Sequence, residues 1–336
     1  EDYRSGTNMD IYAQRIDSDG NAVWTVDGVG VSTNSAEQYY PKIAPDGDGG
    51  AGIAWQDYRN GGWDVFAQRV YHTGSMVFTP DGVSVCALSN QQQEVQIAPD
   101  GHEGMIILWK DFRTGTMDEL YAQRIDYIGN PLWTANGVLV CSVGWPPFEH
   151  QMVADGVGGA IMTWHDSRTG FSDIYAQRIS GSGSVEWTAN GISVTATISA
   201  STNQSMALDG IGGSFVVWAD TRAGDYRVYI QKLDINGNAL WTADGIRVCT
   251  LDHLQNFPRV VSDGVGGAVI VWRDYRYDNS DVFAQRLNQN GQPLWDSDGV
   301  ALCALMGSQY NIKIASDGAG GAIAIWDDWR NYNGDI

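Results

Sequence analysis

Apolar and polar positions along this chain alternate in short runs, and no stretch holds the 3.6-residue period of a helix, so the elements expected are strands. Pro41-Lys-Ile-Ala-Pro45 alternates and is echoed by Val95-Gln-Ile-Ala, Gln151-Met-Val-Ala and Ile312-Lys-Ile-Ala, which predicts a first strand. Asp-Gly-x-Gly-Gly follows, as at Asp155 to Gly159 and Asp263 to Gly267. Asp bonds its own backbone two residues on and glycine supplies positive φ, so this is a hairpin turn. The second strand, such as Ala268-Val-Ile-Val-Trp272, is apolar throughout and is expected to be buried on both faces. An Asp-x-Arg loop leads into a third strand, such as Asp173 to Ile179. A polar turn ending in Trp24, Trp133, Trp187, Trp241 or Trp295, with Phe78 in the remaining copy, precedes an Asp-Gly or Asn-Gly turn and a fourth strand, such as Gly82 to Cys86.

The set recurs. The Gln of Ala-Gln-Arg returns at Gln14, Gln68, Gln123, Gln177, Gln231 and Gln285, spaced 54 or 55 residues apart, and the second-strand Trp at Trp55, Trp109, Trp164, Trp218, Trp272 and Trp326. A fixed period of this length marks a repeat architecture. Four short strands per period, joined by tight turns, make one propeller blade. The expectation is an all-β, six-bladed β-propeller of four antiparallel strands per blade, forming a single domain over residues 1–336. The chain opens before a third strand and ends after a second, so the closing blade is expected to combine both terminal segments and remove free sheet edges. Asp2-Tyr-Arg4 is a seventh Asp-x-Arg, and a closed ring has room for six. That points to a boundary within a longer polypeptide, or to a segment of a longer array.

Composition narrows the partners. The net charge of −20 speaks against nucleic acid and anionic membrane surfaces. No apolar run approaches the roughly 20 residues needed to span a bilayer, so no membrane insertion is expected. No signal peptide is recognisable, and the mid-repeat opening places any upstream segment outside this sequence. Cys86, Cys141, Cys249 and Cys303 share one repeat position with Ser32 and Thr195. Packed sheets lie about 10 Å apart and a disulfide needs Cα atoms within about 7 Å, so the even count follows from the repeat and no disulfide is expected.

The third-to-fourth strand turn reads Asp17-Ser-Asp-Gly-Asn-Ala-Val-Trp24, Asp126-Tyr-Ile-Gly-Asn-Pro-Leu-Trp133 and Asp234-Ile-Asn-Gly-Asn-Ala-Leu-Trp241. It resembles the Asp-box of sialidase-type propellers, with one more residue between Gly and Trp and the leading Ser/Thr missing from two of the three. Trp-x-Asp-x-Arg followed by Asp-Ile-Tyr-Ala-Gln-Arg resembles the repeat propellers of large secreted or surface-attached bacterial proteins, over essentially the whole chain. What this resemblance implies is an extracellular or cell-surface, non-catalytic module.

Candidate chemistry is weighed against the repeat. Asp-x-Arg pairs, the repeated Gln and the recurrent Trp are present in every copy, which favours structural roles in ion pairing, buried hydrogen bonding and inter-blade packing. No metal is expected as a cofactor. Asp17-Ser-Asp-Gly20 and Asp46-Gly-Asp48 carry fragments of a calcium loop and leave calcium open, but neither has the full ligand set. His72, His102, His150, His165 and His253 lack zinc spacing. The connections from fourth to first strand differ in every copy, and counting back from each turn Asp makes Tyr40, Glu94, Glu149, Asn203, Phe257 and Asn311 equivalent. Variable loops on a rigid scaffold are where binding is usually placed. The ligand-binding candidates are Tyr39, Tyr40, Glu94, Trp145, Phe148, Glu149, Phe257 and Tyr310. Two functions are expected from them. The first is a non-catalytic binding or structural module recognising glycan or protein. The alternative is a glycoside hydrolase, sialidase-like or related, with Glu94 and Glu149 as its carboxylates.

Overall fold

The computed structural model describes residues 1–277 and 279–330. Among the described residues all regular structure is β. Five four-stranded antiparallel sheets span residues 38–86, 92–141, 148–193, 201–247 and 255–303, and two-stranded sheets span 11–32 and 309–328. In every sheet the strand order follows the chain, as tight turns require. The chain forms two compact units, Glu1–Pro147 with Ala154–Ile161 and Arg178–Gly191, and Phe148–Val153 with Met162–Gln177 and Ile192–Ile336.

The hairpin chemistry is as expected. Asp100 Oδ1 accepts from His102 N at 2.7 Å and Gly104 N at 2.8 Å, closing the turn between first and second strands. Second strands such as Ala51–Asp57 and Ala160–Asp166 are buried at every residue. The terminal copy Ala322–Asp328 differs: Ala324 and Trp326 pack against Val271 and Val282, while Ile323 and Ile325, on the opposite face of the strand, are exposed.

The repeated polar residues hold each sheet together. Trp218 Nε1 donates to Asp220 Oδ2 at 2.9 Å, and Arg222 grips the same carboxylate. Arg222 Nη1 then donates to Asp244 O at 2.8 Å, with the guanidinium 3.9 Å from the Tyr229 ring centre. The Asp-x-Arg loop is thus pinned to the third strand and to the turn before the fourth. Asp2 with Arg4, over the Tyr12 ring, and Asp328 with Arg330 form the same ion pair, so both terminal copies are built. The third-strand cation has another partner, the hairpin carboxylate: Arg124 Nε lies 2.9 Å from Asp100 Oδ2. Arg124 Nη1 and Trp133 Nε1 both donate to Gly181 O, tying one repeat to the next.

Gln231 is fully buried and saturated. Its Nε2 donates to Thr242 O at 2.9 Å, and its Oε1 accepts from Lys232 N at 2.9 Å and Trp241 N at 3.1 Å. Gln231→Ala strands these backbone groups and should lower stability by about 1–3 kcal/mol in urea unfolding. Unchanged melting would show that water replaces the amide freely. The four cysteines are free and buried. Burial, with Asp111 adding, pushes the Cys86 thiol up to about 12, so it behaves as a small packing group.

Candidate functional site

The six residues made equivalent by counting share one unusual backbone. Tyr40, Glu94, Glu149, Asn203, Phe257 and Asn311 all have positive φ, between 49° and 56°. They lie inside first strands, not in the connections where they were expected. Tyr39 pairs with Gln56 and Lys42 with Ala54, so one residue too many is accommodated between them, and the same shift recurs at Gln93/Gln96, Thr202/Ser205, Asn256/Arg259 and Tyr310/Lys313. A bulge of this kind re-aims a side chain. The left-handed conformation costs a non-glycine residue about 1–2 kcal/mol, and Tyr and Phe gain nothing locally in return. The repeat therefore keeps the bend while changing the side chain that it presents.

A second variable position faces the first. The x of Trp-x-Asp-x-Arg is Gln56, Lys110, His165, Ala219, Arg273 and Asp327 in successive copies, a change of residue inside a constant frame. Cross-strand register puts Lys110 opposite Gln93 and Arg273 opposite Asn256, beside the bulge. Lys110 Nζ lies 2.9 Å from Glu94 Oε1, and Asp327 accepts from Asn311 Nδ2 at 2.5 Å. Arg273 sits 4.8 Å from the Phe257 ring centre. Sequence reasoning passed over these residues because it read the motif by its constant members.

In the second unit the pair is Glu149 and His165. His165 is wholly buried, and the Phe148 ring stacks on it at 5.3 Å. Burial pushes its imidazole down to about 4, with Asp166 opposing, so it is neutral at neutral pH. Ser172 Oγ donates to Ser201 O at 3.0 Å and lies 3.3 Å from His165 Nδ1. His165 Nε2 lies 3.5 Å from Glu149 Oε2 and has no hydrogen-bond partner among the described residues. Glu149 Oε2 also receives Asn203 N at 3.3 Å, and Gln204 Nε2 binds its backbone carbonyl at 2.7 Å. The carboxyl is half exposed. It stands beside a buried imidazole and still faces solvent.

In the first unit Lys110 bridges Glu94 and Asp118, the latter at 3.2 Å, and Glu94 N donates to Gln56 Oε1 at 2.7 Å. A cavity of about 840 Å3 adjoins, lined by Asn60, Asp64, Asn90, Lys110, Phe112 and Asp118. Tyr39 meets Tyr40 at 5.9 Å and Trp63 at 5.5 Å, an aromatic cluster extended by Tyr58. Trp145 is 53% exposed and makes no ring contact among the described residues. Phe148 and Glu149 meet at His165, and Phe257 and Tyr310 meet at Arg273. The calcium-loop fragments are ordinary turns: Asp17 Oδ1 accepts from Asp19 N and Asn21 N, and Asp46 accepts from Asp48 N and pairs with Arg69. Asp281, pushed up to about 6 by burial and then by Asp274 across the ladder, belongs to the frame, since Asp57 faces Asp64 in the same way.

Four-stranded antiparallel meanders repeated along an all-β chain, with variable side chains gathered at one strand position, are the build of a β-propeller. No family model matches the chain, and no curated protein matches it significantly. Among solved structures it is similar to an ulvan lyase of polysaccharide lyase family 25, at 8% identity and a TM-score of 0.50 over 84% of this chain and 72% of that one. It is also similar to the Penicillium chrysogenum α-L-arabinanase complexed with arabinobiose, at 12% identity and 0.46 over 84% and 86%. A third is the GH93 α-L-arabinofuranosidase of Fusarium graminearum with arabinobiose, at 12% and 0.42 over 86% and 93%. At these identities the likeness is one of fold. These neighbours are enzymes acting on glycans, and the expectation of a non-catalytic binding or structural module is corrected accordingly.

Proposed function

We propose that this chain is a glycoside hydrolase that works at the bulge end of its sheets, with Glu149 as proton donor and acceptor. The observation that carries this is the contact of Glu149 with the free Nε2 of buried, neutral His165. A carboxyl held beside a buried ring and still reaching solvent is positioned to protonate a glycosidic oxygen and later to deprotonate water. Glu94 holds the equivalent strand position in the first unit. In the second unit, Phe148 and Phe257 offer flat surfaces to sugar rings. The blade number is six in this proposal. Five sheets are complete, and six copies of the second-strand Trp mark six repeats. A secreted or surface setting, where polysaccharide is met, fits the same proposal.

Reducing-sugar release from a panel of polysaccharides and aryl glycosides tests it. Wild-type protein should cleave at least one member, and Glu149→Gln should lose about 100-fold or more of that rate, the share general acid–base groups usually supply. Full turnover in Glu149→Gln, or no release from any glycan, would sink the assignment.

A further inference from the structure

Cations are scarce in this chain, 20 against 40 acidic residues, and most are matched to a carboxylate. In the second unit every arginine described makes an ion pair except two. Arg259 and Arg273 make none among the described residues, nor does Lys313. Arg273 is only 7% exposed, and its Nε has no acceptor. Its guanidinium lies 4.5 Å from the Tyr310 ring centre and 4.8 Å from that of Phe257, and it donates to Tyr275 Oη. Ring faces satisfy the flat side of a guanidinium but not its in-plane N–H groups. A buried cation in that state is completed by an anion.

The other two cations are close in the fold. Arg259 shares the strand Gln255–Ser262 with Phe257, and Lys313 shares Gln309–Ser316 with Tyr310; both strands pack with Ala268–Tyr277, which carries Arg273. Arg259 donates to Pro258 O at 2.8 Å, and burial pushes its pKa down, with the charge of Glu149 partly offsetting. Arg259 and Lys313 line a cavity of about 730 Å3 whose wall mixes apolar side chains such as Val153 and Met206 with the polar Gln151 and Ser205.

We propose that the second unit binds an acidic glycan, with Arg273 between Phe257 and Tyr310 as the anchor for a carboxylate or sulfate on a sugar ring, and Arg259 and Lys313 receiving further charges along the cavity. The proposal rests on the glycan reading above and narrows its substrate class. The flanking rings favour a sugar over an acidic peptide, since they offer stacking faces beside the anion site.

Calorimetric binding to the whole protein tests it with four probes: an oligogalacturonate, a sulfated neutral oligosaccharide, a neutral arabino-oligosaccharide and poly-glutamate. One of the two acidic sugars should bind at least about tenfold more tightly than the neutral one, and which one does distinguishes carboxylate from sulfate. Arg273→Gln should erase that margin, and Arg273→Lys should restore part of it. Lys313→Gln, at an exposed position that folding does not need, should weaken acidic binding and flatten its salt dependence. Equal affinity for acidic and neutral sugars, an unaltered Arg273→Gln, or preference for poly-glutamate would overturn the anchor. Acidic-sugar binding without turnover would uphold it while sinking the hydrolase, so the two failures are separable.

Discussion

Gly245→Ala should destabilise the protein by about 3 kcal/mol or more, the sum of a left-handed backbone forced on alanine and an overpacked core. Gly245 has a φ of +81°, and a Cβ there would meet Trp218 Cη2 at 2.5 Å and Ile230 O at 2.8 Å. Trp218 cannot retreat, being fully buried and tied through its Nε1 to Asp220. Gly82, Gly137 and Gly299 meet Trp55, Trp109 and Trp272 in the same way, so the loss should recur in each of these sheets. Gly318 is the control. Its φ is +74°, but nothing lies within 4 Å of an added Cβ, so Gly318→Ala should cost about 1 kcal/mol for the backbone alone. Chemical unfolding of both variants is the measurement. Equal losses would mean that the Trp does not limit this turn.

Glu149→Gly should part function from stability. Glycine tolerates a φ of 49° without strain, so the variant should be as stable as the parent or about 1 kcal/mol more stable. It should lose glycan cleavage as completely as Glu149→Gln. Tyr40→Gly, at a φ of 56°, should likewise keep or raise the melting temperature while weakening glycan affinity. A fall of several kilocalories in either variant would show that these side chains hold the bulge in place, and their claim to be present for a ligand would lapse.

Much of this fold was open to sequence reasoning because each constant residue has a local task. Asp100 closes its own turn, Gln231 fills three backbone vacancies, and Asp220 holds a Trp and an Arg. These tasks need only neighbours in the same or the next repeat, so the period of the chain exposes them. The site was legible in half. Counting made Glu94, Glu149 and Phe257 equivalent, yet nothing in the letters announces a left-handed Phe, and the residues were assigned to loops. His165 was set aside for want of metal spacing, although its place between Trp164 and Asp166, where other copies carry Lys, Arg or Ala, was a visible signal. The burial that neutralises its ring and the contact with Glu149 arise from tertiary packing, which no spacing rule reports.

The bulge also bears on how such a chain can change. Its bend is imposed by the extra residue in the ladder, and it persists whether Tyr, Glu, Asn or Phe occupies it. The facing position tolerates Gln, Lys, His, Ala, Arg and Asp within an unaltered Trp-Asp-Arg frame. Each sheet therefore carries a two-residue cassette whose contents are nearly independent of folding. Recombining the six cassettes, without touching any constant residue, would generate a library of differently lined binding surfaces on one backbone, and a lineage could drift between ligands along that route one sheet at a time.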